Sequence, residues 1–301
     1  MGYNQAVSLK IGVQIVEIIE KAPAKINLGL DVVGKRADGY HELEMVMTSV
    51  DLADHLTFTP LPQSQIQLES NLAFLPTDRK NHVYQAAELL MKKAGITTGV
   101  HIYIDKHIPV AAGLAGGSSD CAAALRGLNR LWQLGYSNEE LAALGAEIGS
   151  DVPYCLYGNT AFVTGRGETV TPLPAFGPCW IILVKPRMGV STGSVFKELN
   201  LATIPHPPVR DLERAVMAQD YAAILAAMGN SLEAVTIPRH PIIQKIKDRM
   251  MRYGADAALM SGSGPTVFAL CKQHSRAQRV YNGLKGFCDE VHLVPALMTR
   301  D

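Results

Sequence analysis

Paired cysteines spaced for a redox or zinc site are missing from this 301-residue chain. Its five cysteines, Cys121, Cys155, Cys179, Cys271 and Cys288, are odd in number and widely separated. That pattern argues against a disulfide framework or structural zinc and predicts a reducing, cytoplasmic setting. Nine histidines are equally scattered, with no His-Glu-x-x-His, so a zinc hydrolase has no footing. Charge of one sign is lacking too: 28 Lys plus Arg balance 28 Asp plus Glu, and no basic stripe gathers them. Neither nucleic acid nor a membrane surface is therefore an expected partner. No uninterrupted apolar run approaches the length of a membrane span. Residues 1–16 carry only Lys10 as a base and no apolar h-region with a small-residue cleavage site. They are expected to be a short extension leading into a strand, not a signal peptide. Two familiar phosphate loops are absent as well. No Gly-x-x-x-x-Gly-Lys-Ser/Thr occurs, and Gly165-Arg166-Gly167 and Gly262-Ser263-Gly264 lack the third glycine of Gly-x-Gly-x-x-Gly.

What the chain does have is a different glycine-rich turn. Pro109-Val110-Ala111-Ala112-Gly113-Leu114-Ala115-Gly116-Gly117-Ser118-Ser119-Asp120 follows the alternating run Val100, Ile102, Ile104 and precedes an Ala/Leu-rich helical pattern. A turn that opens a helix collects unpaired backbone N–H groups and the positive end of the helix dipole, which is a polyanion site. Glycines allow close backbone approach there, and Ser118 and Ser119 add hydroxyls. An ordinary glycine-rich loop ending in a serine cap is the competing reading. Any lysine offsetting phosphate charge must come from elsewhere in the chain.

Alternation at Val13 and Ile15 and again from Ile26 to Val32 predicts two strands, with Lys25 and Asn27 opposite Ile26 and Leu28. Further strands are expected at residues 43–49, 55–59, 65–69 and 100–105. Helices are expected at 81–94, ended by Gly95, and after the Ser137/Glu140 capping box to about residue 148. Beyond the proline-rich stretch at 172–178, the pattern predicts strands at 180–184, 257–260, 266–270 and 290–294. Helices are predicted at 211–228, 240–253 and 275–287. The fold class is α+β, in two domains (1–172 and 173–301) with a cleft between them.

Three segments together resemble the motifs of the GHMP kinases, the galactokinase, homoserine kinase, mevalonate kinase and phosphomevalonate kinase superfamily. They are Ala22-Pro23-Ala24-Lys25-Ile26-Asn27-Leu28, the glycine turn, and Met260-Ser261-Gly262-Ser263-Gly264-Pro265-Thr266. Within it, Arg36-Ala37-Asp38-Gly39-Tyr40-His41-Glu42-Leu43 and Ile148-Gly149-Ser150-Asp151-Val152-Pro153 resemble one branch. Its members phosphorylate the tertiary 2-hydroxyl of 4-(cytidine 5'-diphospho)-2-C-methyl-D-erythritol, on the non-mevalonate route to isoprenoids. Another GHMP alcohol kinase, or a nucleotide-binding regulator without catalysis, is the alternative.

The resemblance implies the family's fold, an N-terminal domain like ribosomal protein S5 domain 2 and a ferredoxin-like C-terminal domain. It implies ATP and Mg2+, a small substrate carrying a cytidine diphosphate group, and a monomer or weak homodimer. It assigns catalysis to Lys25 and Asp151, the latter accepting or orienting the hydroxyl proton. ATP falls to Pro109, Val110, Ala111, Ala112, Gly113, Leu114, Ala115, Gly116, Gly117, Ser118 and Ser119, with Asn81 and Lys106 near adenine and ribose. Asn27, Tyr40, His41, Thr192 and Phe196 fall on the substrate side, with Tyr40 and Phe196 as walls of a cytosine slot. On residue chemistry alone, Asn81 reads as a helix cap, Lys106 as an exposed strand end and Asp151 as a turn or cap aspartate. Ala115 stands where many members have glycine, and a negative φ is expected to accommodate its methyl group. The third motif is expected to close the cleft and support the loop.

Overall fold

The computed structural model describes residues 7–10 and 13–298. Of the expected N-terminal extension, 1–6 and 11–12 lie outside the described residues; the rest forms an antiparallel pair, β1 (Val7–Lys10) and β2 (Val13–Val16). The strands that follow are β3 (Ile18–Lys35), β4 (His41–Leu61), β5 (Ile66–Ser70), β6 (Gly99–Asp105), β7 (Thr160–Gly165), β8 (Thr169–Leu173), β9 (Trp180–Lys185), β10 (Gly229–Asn230), β11 (Ala257–Met260), β12 (Val267–Cys271) and β13 (Glu290–Pro295). Helices are α1 (His82–Ala94), α2 (Gly116–Leu131), α3 (Asn138–Ile148), α4 (Val152–Tyr157), α5 (Thr192–Glu198), α6 (Val209–Met217), α7 (Tyr221–Ala227), α8 (Glu233–Arg239), α9 (Ile242–Arg252) and α10 (His274–Lys285).

Two sheets carry the α+β architecture. The larger runs β10-β3-β4-β6-β5, with β7 and β8 continuing from β4; the smaller runs β11-β12-β9-β13 and is antiparallel throughout. Strand β3 is buried continuously from Ala22 to Val32, which explains why its alternation is blurred: both of its faces are covered. Its pairing with β4 shifts register between Pro23 and Lys25 and again between Asn27 and Gly29. These irregularities bracket the two polar residues, and such bulges re-aim side chains out of the regular pleat.

The core divides along β9. Ile181 and Leu183 pack with Ile26, Leu28 and Val46 of the large sheet, while Ile182 and Val184 join the cluster holding Ile246, Val280 and Leu284 of α9 and α10. Strand β9 thus joins the layers. The last residues of β8 fall at 172–173, and residues 229–230 of the second half add a parallel strand to β3.

Several local expectations differ from what forms. The runs at 43–49 and 55–59 are one 21-residue strand, because pairing with β3 resumes at Ala53 and Asp54, opposite Pro23 and Ala22, after a register shift that takes up residues 50–52. The 211–228 helix is two, since Asp220 ends the first path and caps α7 by accepting from the Ala223 N–H. Strands β7 and β8 and helices α4 and α5 carried no sequence expectation.

Candidate functional site

A cavity of about 1260 Å³ opens where β3, β4, the glycine loop and the second half of the chain meet. Every residue that the resemblance singled out lines it except Ser119. Ser119 is buried, with its hydroxyl donating to the Pro23 carbonyl at 2.7 Å and its N–H to the Ala115 carbonyl at 2.8 Å. It ties α2 to β3, and both of its polar hydrogens are used within the protein, whereas it was expected among the ATP contacts.

At the floor, Lys25 Nζ donates to Asn27 Oδ1 at 2.7 Å and lies 3.9 Å from Asp151 Oδ2. Lys25 and Asn27 are buried, whereas the Asp151 carboxylate is one-third exposed to the cavity. Asp151 begins α4 but makes no side-chain cap bond, so its carboxylate is not spent on the helix. Cation, amide and carboxylate thus converge on one point, with the acid the accessible member.

The glycine loop enters α2 from above this floor. Its carbonyls are turned inward: Leu114 accepts from the Lys25 N–H at 3.2 Å, Gly113 from Ser261 Oγ at 3.0 Å, and Ala112 from the Thr266 N–H at 3.3 Å. The N–H groups of Gly116, Gly117 and Ser118 belong to the first turn of α2 and have no preceding helical carbonyl. Ala112 and Leu114 border the cavity but are themselves buried. The expected negative φ at Ala115 is not found: Ala111 and Ala115 adopt φ of 52° and 56°, both left-handed. For an alanine that conformation costs about 1–2 kcal/mol. The bonds from Ser261 to Gly113 and from Ser119 to Pro23 hold the strained backbone in place.

The third motif, left out of the catalytic assignment, comes against the floor residues and the loop. A Cβ placed on Gly262 would lie 3.5 Å from both Lys25 Nζ and Asn27 Oδ1. Asn230 holds this turn by donating to the Met260 and Gly262 carbonyls, each at 2.8 Å. Thr192 meets it through Ser263, hydroxyl to hydroxyl at 2.8 Å.

Lys106 is not an exposed strand end. It is 7% exposed, with Nζ bonded to Asp54 and, at 2.7 Å, to Asp120. Asp54 also accepts from the His107 and Ile108 N–H groups, so this triad braces the strand that feeds the loop. Two acids share one base here. Burial, with Asp54 adding to it, pushes the Asp120 carboxyl up to about 8 despite Lys106, and the acids outweigh burial to raise Lys106. Asn81 does cap α1, accepting from the Val83 N–H at 2.9 Å and donating to the Pro76 carbonyl at 2.8 Å, while also facing the cavity.

At the other end, the His41 and Phe196 rings lie 5.1 Å apart, and Tyr40 is half exposed. Burial lowers the His41 pKa, with Lys35 adding to the effect, which favours a neutral imidazole able to donate at one nitrogen and accept at the other.

Three wall residues escaped sequence reasoning. Asp120 follows the serines, and His82 begins α1 between Gly117 and Gly149, its pKa lowered by burial. Arg166 places its guanidinium carbon 5.3 Å from the Tyr40 ring centre. Asp120 and Arg166 belonged to segments already quoted, but only the fold shows that they face the cavity. In all, Lys25, Lys35, Lys80, Lys106, Arg166 and Lys197 line it against Asp120 and Asp151 alone. A chain of balanced charge has built a positive cavity, suited to a polyanion.

Comparison with known proteins agrees with this chemistry. Residues 81–159 match the GHMP kinases N terminal domain and 212–290 the GHMP kinases C terminal domain. A 4-diphosphocytidyl-2-C-methyl-D-erythritol kinase of Enterococcus faecalis is 62% identical over 282 residues, covering 94% of this chain and 100% of that protein. One from a Geobacillus species is 56% identical over 285 residues, covering 95% and 99%. Among solved structures, a 4-(cytidine 5'-diphospho)-2C-methyl-D-erythritol kinase superposes with a TM-score of 0.79 at 33% identity, over 93% of this chain and 99% of the other. A homoserine kinase from Cytophaga hutchinsonii, 21% identical with a TM-score of 0.76 over 97% and 99%, shares the fold. Both halves of the chain, its floor of Lys25 and Asp151 and near-complete relatives at this identity converge on one assignment: it belongs to the GHMP kinases, in the 4-diphosphocytidyl-2-C-methyl-D-erythritol kinase family.

Proposed function

We infer that this enzyme transfers the γ-phosphoryl group of ATP to the tertiary 2-hydroxyl of 4-(cytidine 5'-diphospho)-2-C-methyl-D-erythritol, in the cytoplasm, on the non-mevalonate route to isoprenoid precursors. The observation that carries the reading is the Lys25–Asp151 pair, 3.9 Å apart, facing a glycine loop across one cavity. Asp151 accepts the hydroxyl proton as the substrate oxygen bonds to the γ-phosphorus and the bond to the ADP oxygen breaks. A tertiary alcohol is a weak acid and a crowded nucleophile, so fixing its direction of attack matters as much as removing its proton. Lys25 stabilises negative charge on the transferring oxygens, and its bond to Asn27 fixes where that charge sits. The N–H groups opening α2 receive the nucleotide phosphates. Asn81 and Lys106 border the adenosine, Thr192 the erythritol, and Tyr40, His41 and Phe196 the cytosine.

Mg2+ accompanies ATP in this chemistry and neutralises charge on the transferring group. No group of three or more His, Cys, Asp or Glu side chains suited to a metal occurs among the described residues. Asp120, on the cavity wall, keeps one buried carboxylate oxygen without a hydrogen-bond partner, and Ser118 lines the same wall. One acid and one hydroxyl fit an ion that retains water and is held largely by phosphates. A product assay with ATP and a panel of alcohols tests the whole reading. Phosphorylation of the cytidine substrate but not of homoserine or mevalonate is expected; the reverse preference would overturn it.

A further inference from the structure

Arg166 stands in the turn between β7 and β8, flanked by Gly165 at φ 74° and Gly167 at φ 117°. Its own N–H donates to Glu168 Oε2 at 2.6 Å, which fixes the turn. Gly167 abuts Ser150, the residue before Asp151: an added Cβ would lie 3.3 Å from the Ser150 carbonyl oxygen. From there the side chain runs toward Tyr40, its Nη2 donating to the Ala146 carbonyl at 3.3 Å and its guanidinium carbon 5.3 Å from the Tyr40 ring centre. The charge is therefore carried between the Asp151 segment and the base-binding ring. No carboxylate forms an ion pair with it among the described residues; Asp38, which feels its field, is bonded to Arg36 and to the Tyr40 N–H. A guanidinium on a cavity wall with only a carbonyl and a ring for company keeps most of its five donors unused.

We propose that Arg166 binds the diphosphate of the cytidine substrate and so determines its selection. The proposal rests on the function inferred above. In that substrate the diphosphate links the reacting polyol to the ribose of the cytidine. With the hydroxyl at Asp151 and the base at Tyr40, the linker passes Arg166, whose turn abuts Ser150 and whose guanidinium reaches the Tyr40 ring. A planar fork matches two phosphate oxygens at once.

The test compares CDP with cytidine as competitors of the cytidine substrate, for the wild type, Arg166→Gln and Arg166→Lys. Wild type should prefer CDP. In Arg166→Gln the preference should shrink about tenfold, the loss expected for a charge-assisted contact at a partly solvated site. Arg166→Lys should recover part of it, and the KM for ATP, which reports a correctly folded cavity, should not move. An unchanged CDP-to-cytidine ratio in Arg166→Gln would overturn the proposal, as would an equal rise in the ATP KM, which marks a role in folding. If neither CDP nor cytidine competes in the wild type, the functional reading itself fails, and this proposal with it.

Discussion

Three glycines of the glycine loop differ sharply in what an added methyl group would meet, and alanine substitutions should rank accordingly. At Gly113 (φ 77°) a Cβ would lie 2.5 Å from the Ser261 carbonyl oxygen and 2.9 Å from that of Gly264. Both neighbours are backbone, so relief requires moving the loop away from the turn after β11. The left-handed backbone costs an alanine about 1–2 kcal/mol, and overpacking adds about 1–3 kcal/mol. A loss near 3 kcal/mol lowers the melting temperature by roughly 5–10 °C for a chain of this size. At Gly116 the neighbours are side chains, Ile108 Cγ2 at 3.1 Å and Lys106 Nζ at 3.2 Å, which can yield by a few tenths of an ångström; about 1 kcal/mol is expected. At Gly117 the nearest atom is His82 Nδ1 at 3.9 Å, and alanine there favours the helix by about 0.5–1 kcal/mol. Thermal melting gives the stability order, and calorimetry with a non-hydrolysable ATP analogue should show the largest affinity loss, tenfold or more, for Gly113→Ala. Melting and affinity like wild type for Gly113→Ala, with Gly117→Ala the damaged variant, would refute a loop clamped by that turn.

Asp151→Asn and Lys25→Ala should each cut kcat by at least about 100-fold while ATP and substrate affinities stay within roughly tenfold; single-turnover rates near wild type would remove both from the chemistry. Tyr40→Ala should weaken the cytidine substrate by about 5- to 150-fold, the worth of stacking one base at about 1–3 kcal/mol, and leave ATP affinity alone; a matching ATP defect in steady-state kinetics would contradict the slot. Asp120→Asn should flatten the dependence of stability on pH. The Asp120 carboxyl is raised to about 8, so its stabilising contribution is full below the ordinary carboxylate range and disappears as pH rises through 8. Wild type should therefore lose more melting temperature between pH 6 and 9 than the variant; parallel curves would refute it.

How far the fold could be read from the chain depends on whether a residue's job is local. The Asn81 and Ser137 caps were legible because a helix end and its cap are neighbours in sequence. Lys25 and Asp151 were legible only through the resemblance, since nothing near either residue shows that 126 positions of chain close to 3.9 Å. Arg166 was read as part of a failed dinucleotide pattern; its meaning comes from Tyr40, on another strand. Lys106 misled because a lysine at a strand end is solvated by default, and its burial is a property of Asp54 and Asp120. The left-handed Ala115 runs against local preference altogether, which is where sequence reasoning is expected to fail near a site.

The inward-turned carbonyls of the glycine loop have a consequence for cooperativity. Ala112 and Gly113 are held by Thr266 and Ser261, and Asn230 holds the turn that includes them, so the posture of a loop near residue 113 is set by chain more than 110 positions later. Nucleotide binding is then a sensor of whether the C-terminal half is folded. A fragment lacking that half can keep every residue of the glycine loop and still present it disarrayed. Conversely, under the proposed function, ATP bound at the glycine loop of the native state stabilises the C-terminal half as well, because local unfolding there would release the loop.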